Sequence, residues 1–469
     1  MKGFESVIGL EVHVELLTEH KIFCSCRNSF ERVRDQNSCE ICKGLPGAIP
    51  VFNRECIRPA VSLGCVLNCK ISPVSRFDRK NYFYPDLPKG YQITQFYEPV
   101  CLDGHIDLPS SGKRIGIREV HLEDDAAKLS YDGDGIKVDY NRCGVPLAEI
   151  VTMPDFGSSD EVVEFLELIR RDIKASGISD CKIEQGSMRI DVNLSVRRPG
   201  EAMGTRTEMK NLASFKAVAK AIAYESERQC NVISGGGNVC RETRRWNEEK
   251  EVTELMRSKE GADDYKYFPE PDLEPLLIDE RIIERIRSEI PELPSQKKRR
   301  YIESLGLKSE AADLISSDED LSRLFEECVK ICNAPLESSA HFSRIVKMRK
   351  EGKGGISASS LASVVRMQRD NKINSKIAAD LLEVCSDNGI DPESYAREHD
   401  LFLIADEDKI EEAIDRVLSD PSNAKAVCEV MAGKDKVKAY LKGKVIAELK
   451  GKALPEAVNR LFEKKFVRN

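Results

Sequence analysis

The sequence has 469 residues, which is enough for two or three domains. Hydrophobic residues make up 41% and charged residues 32%, a composition typical of globular proteins. No apolar run approaches the roughly 18 residues of a membrane span, and no signal peptide fits the first residues, so we expect a cytoplasmic protein without membrane contact. The formal net charge of −8 gives no indication of nucleic acid, but residues 425–469 are locally basic, with 12 Lys and Arg against 5 Asp and Glu.

Residues 8–16 alternate between apolar and polar side chains, which predicts a half-buried β-strand. Glu11, His13 and Glu15 share its polar face, where successive side chains are about 7 Å apart. Such a row of carboxylate, imidazole and carboxylate could bind a divalent cation. On this pattern alone an exposed polar face is the simpler interpretation, and the later acidic segments shift the balance.

Two close pairs of cysteines follow this strand. Cys24 and Cys26 are separated by 12 residues from Cys39 and Cys42, which gives C-x-C followed by C-x-x-C. This spacing predicts a tetrahedral zinc site, and a structural one, because four thiolates leave no position for water. Four free or buried thiols, or a redox pair at Cys39 and Cys42, are the alternatives.

Two loops, residues 77–95 and 263–272, interleave aromatic and basic side chains with turn residues. Such loops can contact phosphate and stack on bases, although a surface loop fixed by aromatic packing fits them equally well. Two helices are predicted between them, over 159–175 and 213–229. Ser158 and Glu161 can form a capping box at the start of the first helix.

Three further segments add charged groups to the predicted sheet. Residues 118–125 end in three consecutive carboxylates, a cluster that requires a cation or a basic partner. Residues 188–196 and 205–210 alternate, and their polar faces carry Arg189, Asp191, Asn193 and Ser195 on one segment and Arg206, Glu208 and Lys210 on the other. Carboxylates for a metal beside basic groups for phosphate are typical of a nucleotide–Mg²⁺ site. Since Mg²⁺ takes few protein carboxylates, some of these acids are expected to act indirectly.

The segment 290–300 marks a boundary, because it holds two prolines and a run of four basic residues. Beyond it strand patterns nearly vanish, and short helices are predicted, among them 319–332, 374–386 and 407–418. We therefore expect three domains, with boundaries at 1–290, 291–400 and 401–469. The first is a mixed domain that contains the cysteine quartet, and the other two are helical.

The run from Asp78 to Gln95 resembles the signature of the B/E subunit family of tRNA-dependent amidotransferases. Other segments are similar to the motifs of that family, namely 8–16, 144–151, 184–195, 207–212, 242–245 and 263–272. The segments 354–378 and 434–459 resemble the YqeY-type tail of the B subunit, so that 321–468 together are YqeY-like. There is no room for the synthetase-like insertion of the E subunit, which favours the B subunit.

The resemblance implies an α+β fold. An antiparallel-sheet cradle domain, related to glutamine synthetase and guanidino kinases, would be followed by an all-α helical domain and a helical tail. It also implies a carbon–nitrogen ligase that carries out ATP-dependent transamidation of misacylated Glu-tRNA(Gln), Asp-tRNA(Asn) or both. Mg-ATP would phosphorylate the side-chain carboxylate of the aminoacyl group. Ammonia would come from a glutaminase, the A subunit, and a small C subunit would complete the heterotrimer. The implied cofactors are ATP, Mg²⁺ and a structural Zn²⁺.

The resemblance also implies roles for particular residues. The expected Mg²⁺ ligands are Glu11, His13, Glu123 and Asp124. Further catalytic candidates are Glu149, Asp191 and Glu208, and the candidates for phosphate contacts are Arg189, Arg206 and Lys210. The chain departs from the family pattern at Asp124, where Glu is usual, and at Ala127, where Gly is usual. The shorter Asp124 could withdraw its carboxylate from direct contact with the metal.

Two other functions stay open at this point. One is a ligase that acts on a free amino acid, against which the long helical C-terminal region argues. The other is a zinc-stabilised RNA-binding scaffold without catalysis, against which the repeated carboxylate-bearing strands argue.

Overall fold

The computed structural model describes residues 3–31, 33–132, 135–258, 265–353, 355–386, 389–404, 406–431, 435–449 and 451–467. The chain divides into two compact units, Met1–Leu293 and Pro294–Asn469. The first unit combines strands and helices, and the second contains helices.

The strands of the first unit are β1 (Glu5–Glu15), β2 (Lys70–Ile71), β3 (Val74–Ser75), β4 (Asp78–Asn81), β5 (Tyr91–Thr94), β6 (Cys101–Asp107), β7 (Arg114–Asp124), β8 (Lys128–Asp132), β9 (Gly135–Asp139), β10 (Pro146–Thr152), β11 (Met188–Arg197), β12 (Thr207–Lys210), β13 (Glu242–Asn247), β14 (Val252–Ser258), β15 (Lys266–Pro269) and β16 (Leu276–Leu277). Its helices are α1 (Ile57–Val66), α2 (Ser159–Ala175), α3 (Phe215–Ser234) and α4 (Glu280–Glu289).

A nine-stranded sheet forms the centre of this unit, in the order β14-β13-β12-β11-β1-β10-β7-β6-β2. Its pairs are antiparallel except for β12 and β13, which run parallel. Strand β1 lies in the middle, between β11 and β10. A separate three-stranded sheet, in the order β15-β4-β5, brings the two aromatic loop segments together.

The alternation along β1 places one of its faces in the core. Leu10, Val12 and Val14 are at most 1% exposed, and they join a hydrophobic cluster that includes side chains of α2 and α3. The intervening Glu11 and His13 are only half-buried and point to the other face. A sheet covered by helices on one side therefore presents its polar row on the opposite side.

The helices of the second unit are α5 (Pro294–Glu303), α6 (Ser309–Ser316), α7 (Glu319–Cys332), α8 (Pro335–Ser339), α9 (Phe342–Lys350), α10 (Ala358–Arg369), α11 (Ser375–Ser386), α12 (Pro392–Glu398), α13 (Glu407–Ser419), α14 (Ala424–Met431), α15 (Asp435–Glu448) and α16 (Pro455–Val467). One hydrophobic cluster is built from helices α5 to α12, and a second one from α13 to α16.

The predicted secondary structure agrees closely with these bounds. Helix α2 spans the predicted 159–175, and the Oγ of Ser158 accepts a hydrogen bond of 3.2 Å from the Glu161 amide. Helix α3 extends beyond the predicted residue 229 and ends at Ser234, directly before Gly235. The broad fold prediction is confirmed: a mixed unit dominated by an antiparallel sheet precedes a helical region. None of the helices in the described ranges combines the length and apolar character that a membrane span requires.

Candidate active site

Polar side chains from four adjacent strands form one row on the polar face of the large sheet. His13 on β1 faces Glu149 on β10 and Arg189 on β11, and Glu149 in turn faces His121 on β7. Directly facing residues of antiparallel strands point to the same side of a sheet. The register therefore brings two imidazoles, a carboxylate and a guanidinium together.

The first group in this row consists of His13, Glu123 and Glu149. The Nε2 atom of His13 lies 3.2 Å from Oε1 of Glu123 and 3.3 Å from Oε2 of Glu149. The Nε2 atom of His121 lies 3.0 Å from the same oxygen of Glu149. His13, Glu123 and Glu149 each offer a ligand atom, and these atoms lie within 4.8 Å of one another. Two carboxylates and a nitrogen at this spacing fit a divalent cation.

The electrostatics of this group are those of a site that needs positive charge. Burial lowers the pKa of His13, but the carboxylates of Glu149 and Glu123 outweigh it and raise that pKa to about 10. Burial raises the pKa of Glu149, but His13 and His121 hold it well below its ordinary value. Protonated imidazoles thus balance the buried carboxylates. A divalent cation among the same side chains would supply that charge and displace the protons.

A second acidic group lies beside the first. Glu11, Asp191 and Glu208 offer oxygens within 4.8 Å of one another. The Nζ atom of Lys210 forms ion pairs with Asp191 and, at 2.9 Å, with Glu208, and Asn193 donates a 2.9 Å hydrogen bond to Glu11. Burial raises the pKa of Glu11, and the carboxylates of Glu149, Glu208 and Asp191 raise it further. The single ammonium of Lys210 leaves this group net acidic.

Both acidic groups line one cavity of about 1030 Å³, a size that suits a small-molecule ligand. The expected site residues that line it are Glu11, His13, Glu123, Glu149, Arg189, Asp191, Arg206, Glu208 and Lys210. Nine of the ten residues proposed from the sequence for catalysis, Mg²⁺ and phosphate thus converge. The exception is Asp124.

Asp124 lies on the other face of strand β7. Its carboxylate forms an ion pair with the Nζ atom of Lys89 and accepts a 2.8 Å hydrogen bond from the Ile93 amide. Because side chains alternate along a strand, Asp124 cannot share a face with Glu123, its neighbour in sequence. The expectation that both carboxylates approach one metal therefore does not fit this structure, and Asp124 helps to anchor β5 instead.

Three cationic side chains of the cavity, Arg189, Arg206 and Lys80, differ in their surroundings. Arg189 pairs with Asp125 at 3.2 Å, whereas Arg206 is exposed and forms no ion pair with a described residue. The ammonium of Lys80 lies 5.0 Å from the centre of the Tyr265 ring, a cation–π contact. Burial lowers the pKa of Lys80, but Glu123 and Glu149 outweigh this effect and raise that pKa above its ordinary value.

Lys80 and His121 also belong to this site, although neither was predicted from the sequence. His121 could have been found from the alternation of β7, which places it on the same face as Glu123. Lys80 belongs to the short strand β4, where four polar residues give no alternation to follow. Its position became apparent only from the three-stranded sheet, in which Lys80 faces Tyr267 on β15 and Gln92 on β5.

The four N-terminal cysteines form a cluster of their own. Their Sγ atoms lie within 4.8 Å of one another, and Cys42 is 3.5 Å from Cys24, 3.8 Å from Cys39 and 3.9 Å from Cys26. A tetrahedral site with Zn–S distances of about 2.3 Å requires sulfur separations of about 3.8 Å. The geometry of this cluster could therefore hold zinc. The fully buried Lys21 lies beside it, with Nζ 3.6 Å from the Cys42 sulfur.

The second aromatic loop is described only in part. Asp263 and Asp264, which belong to its predicted motif, lie outside the described residues, as do Gly354 and Lys434 of the C-terminal motifs. From Tyr265 onward the loop continues into β15, which pairs with β4. Arg79 ties the two strands together through hydrogen bonds of 2.7 and 2.8 Å to the buried Glu270.

This fold and site define a class of protein in which an antiparallel sheet carries a carboxylate-rich, ligand-sized cavity and precedes a helical region. The GatB/GatE catalytic domain family matches residues 6–284, and the GatB domain family matches residues 323–466. The chain belongs to the family of amidotransferase B subunits. As predicted, this is a family of carbon–nitrogen ligases that serve translation.

Curated relatives match nearly the whole chain. The B subunit of the aspartyl/glutamyl-tRNA(Asn/Gln) amidotransferase from Caldicellulosiruptor saccharolyticus is 45% identical over 98% of this chain and 99% of its own length. The protein of the same name from Lachnoclostridium phytofermentans is 42% identical over 99% of both chains. The chain therefore has the extent of these relatives.

Proposed function

We propose that this chain activates the side-chain carboxylate of a misacylated tRNA with ATP, so that ammonia can convert it to an amide. The substrates would be Glu-tRNA(Gln), Asp-tRNA(Asn) or both. The observation that carries the proposal is the convergence of the two acidic groups and their cationic neighbours in one cavity. We infer for this cavity domain a cradle fold related to glutamine synthetase and guanidino kinases.

The two acidic groups suit the binding of Mg²⁺ with a nucleotide. Glu123 and Glu149 offer oxygen ligands, and the imidazole of His13, which contacts both carboxylates, offers a nitrogen ligand. Glu11, Asp191 and Glu208 form the second candidate set. Bound Mg²⁺ would neutralise charge on the phosphates and on the transferring phosphoryl group.

The proposed reaction has two steps. An oxygen of the substrate carboxylate attacks the γ-phosphorus of ATP, the bond from that phosphorus to the bridging oxygen breaks, and ADP leaves. Ammonia then attacks the acyl carbon, inorganic phosphate leaves, and loss of a proton gives the amide. Activation is required because a free carboxylate is a poor electrophile, whereas an acyl phosphate carries a good leaving group.

The cationic side chains would position the reacting groups. Arg206, which forms no ion pair with a described residue, is suited to the phosphates. Lys210 and Arg189 form ion pairs with carboxylates of the chain and would hold these carboxylates in place. When a carboxylate binds the metal instead, its basic partner would become available to bind a phosphate. Burial and the neighbouring carboxylates raise the pKa of Glu11, so that this side chain would accept a proton when ammonia attacks if Asp191 and Glu208 alone bind the metal.

Other parts of the chain have supporting roles in this proposal. Zn²⁺ bound by the four cysteines would fix the segment that follows β1. The locally basic residues 425–469 of the C-terminal helices would contact the phosphates of tRNA. A separate glutaminase would supply ammonia, and a small third protein would complete the heterotrimer.

The test is to purify the chain with its glutaminase and small partner proteins and to assay ATP-dependent amidation of both misacylated tRNAs. We expect amide on at least one tRNA, with ADP released in equal amount. Amidation without ATP, or ATP-dependent amidation of free glutamate or aspartate without tRNA, would overturn the proposal.

A further inference from the structure

The cavity is chemically divided. The strands of the large sheet supply most of its carboxylates, together with Arg189 and Lys210. The aromatic side chains come from the two loop segments instead, Tyr82, Phe83 and Tyr84 from the segment after β4 and Tyr265 from the segment before β15, while Met256 lies on β14 at the edge of the large sheet. A ligand that fills this cavity therefore meets charge on one side and flat apolar surface on another.

Phe83 is the most exposed large hydrophobic side chain of the described residues. It is 98% exposed, and two apolar neighbours in the cavity wall, Met256 and Tyr84, are 55% and 49% exposed. A single exposed apolar side chain is common, but several of them lining one cavity form the kind of apolar surface that marks a ligand-binding groove. The exposure of Phe83 thus marks the apolar side as a binding surface.

The two residues that precede Phe83 are held in place by contacts with the segment around Tyr265. Asn81 pairs with Lys266 in the three-stranded sheet, and the ring of Tyr82 packs edge-on against Tyr265 with centroids 5.4 Å apart. These contacts involve the residues before Phe83, whereas Phe83 itself lines the cavity. The ring of Phe83 therefore directly follows residues that are packed in the three-stranded sheet and against Tyr265.

We propose that the Phe83 ring forms a stacking surface for the adenine base of ATP. The inference rests on the function proposed above. Phosphates and Mg²⁺ require the charged side of the cavity, so the uncharged base must lie on the apolar side. Stacking on an aromatic ring is the usual way in which a flat base is held without hydrogen bonds.

The experiment uses the heterotrimer with Phe83→Ala and Phe83→Trp. Because the side chain is almost fully exposed, neither change should disturb folding. We expect Phe83→Ala to raise the KM for ATP about tenfold and to leave kcat and the KM for tRNA within about twofold. Phe83→Trp should restore the KM for ATP, since indole also stacks on a base.

The tryptophan variant also gives a direct optical signal. The chain has a single tryptophan, Trp246, which is 2% exposed, and the wild-type heterotrimer measured under the same conditions gives the background fluorescence. We expect ATP to quench the additional fluorescence of Phe83→Trp, whereas inorganic triphosphate should not. The matched controls are Phe30→Ala and Phe30→Trp, at a ring that is 74% exposed and does not line the cavity; they should show neither effect.

Three results would overturn the stacking proposal. The first is an unchanged KM for ATP in Phe83→Ala. The second is a raised KM for tRNA without a raised KM for ATP, which would assign the ring to a tRNA base. The third is failure of Phe83→Ala to assemble into the heterotrimer. The outcome is separable from that of the proposed function. Quenching by ATP reports stacking even if no amide forms, and normal amidation by Phe83→Ala would leave the proposed function intact.

Discussion

His13 and Glu123 lie 3.2 Å apart, measured from Nε2 to Oε1, although their strands β1 and β7 are not neighbours in the sheet. Strand β10 runs between them and contributes Glu149, which His13 also contacts, at 3.3 Å. The imidazole therefore bridges two carboxylates across three strands. This arrangement is the geometric basis of the proposed metal site.

The first prediction concerns metal affinity at this group. Glu149→Gln should weaken binding of Mn²⁺, used as a probe for Mg²⁺, by at least about tenfold, equivalent to about 1.4 kcal/mol. The reason is that the amide keeps the shape of the side chain but loses its charge. Calorimetric titration of the purified heterotrimer measures it. Glu201→Gln, at an exposed carboxylate of the same unit, is the control, and equal affinities would contradict the metal site.

The second prediction concerns the buried ion pair of Lys89 and Asp124. Lys89→Met should destabilise the first unit by roughly 3–5 kcal/mol, because it leaves a buried carboxylate without its partner. Adding Asp124→Asn should recover part of this loss, since the amide is neutral and still accepts the Ile93 hydrogen bond. Chemical unfolding followed by the fluorescence of Trp246, which lies in this unit, measures both variants. A double variant less stable than Lys89→Met alone would disprove this account.

The alternation rule explains both the success and the failure of the sequence analysis at this site. Along β1 the alternation predicted which side chains face the core, and burial agrees. Along β7 the same rule, applied strictly, separates Glu123 from Asp124 and brings His121 to the site. The family resemblance instead grouped the consecutive acids together. A motif records which residues recur, whereas the strand geometry decides where each one points.

Other features could not be obtained from local patterns. The row of His121, Glu149, His13 and Arg189 depends on the register of four strands that are distant in the sequence. Register follows from the burial of one whole face of the sheet, not from any single segment. The long helices α2 and α7 were predictable to the residue because capping and a 3.6-residue period agree there.

The third prediction concerns the cysteine cluster. Four thiolates around Zn²⁺ leave a net negative charge, and Lys21 is the buried cation beside it, with Nζ donating a 2.7 Å hydrogen bond to the Asn37 carbonyl. Lys21→Met should therefore lower zinc affinity by about tenfold, or about 1.4 kcal/mol. Competition with a chromophoric chelator measures it, and Lys43→Met, next to Cys42 in sequence, is the control. Zinc-free wild-type protein, measured by elemental analysis, would refute the zinc site itself.

The fourth prediction concerns tRNA binding by the C-terminal helices. Lys425, Lys444 and Lys464 are exposed on α14, α15 and α16. Changing all three to Ala should weaken tRNA binding. The slope of the logarithm of the binding constant against the logarithm of the salt concentration should also become shallower, by up to roughly one unit for each phosphate that is no longer neutralised. ATP binding should not change. The same triple change at the ion-paired Lys70, Lys220 and Lys250 of the first unit is the control. Equal salt slopes for the two variants would rule out tRNA binding by these C-terminal lysines.

The central claim is most directly tested by the double variant Glu11→Gln, Glu123→Gln in the purified heterotrimer. Amidation of misacylated tRNA is measured with ammonium chloride as nitrogen donor, and glutamine hydrolysis by the glutaminase is measured in parallel. The account predicts that amide formation and ADP release fall by at least about a hundredfold, or about 2.7 kcal/mol of transition-state stabilisation, while tRNA still binds. Amide formation at the wild-type rate would show that the carboxylates of this cavity do not carry the reaction.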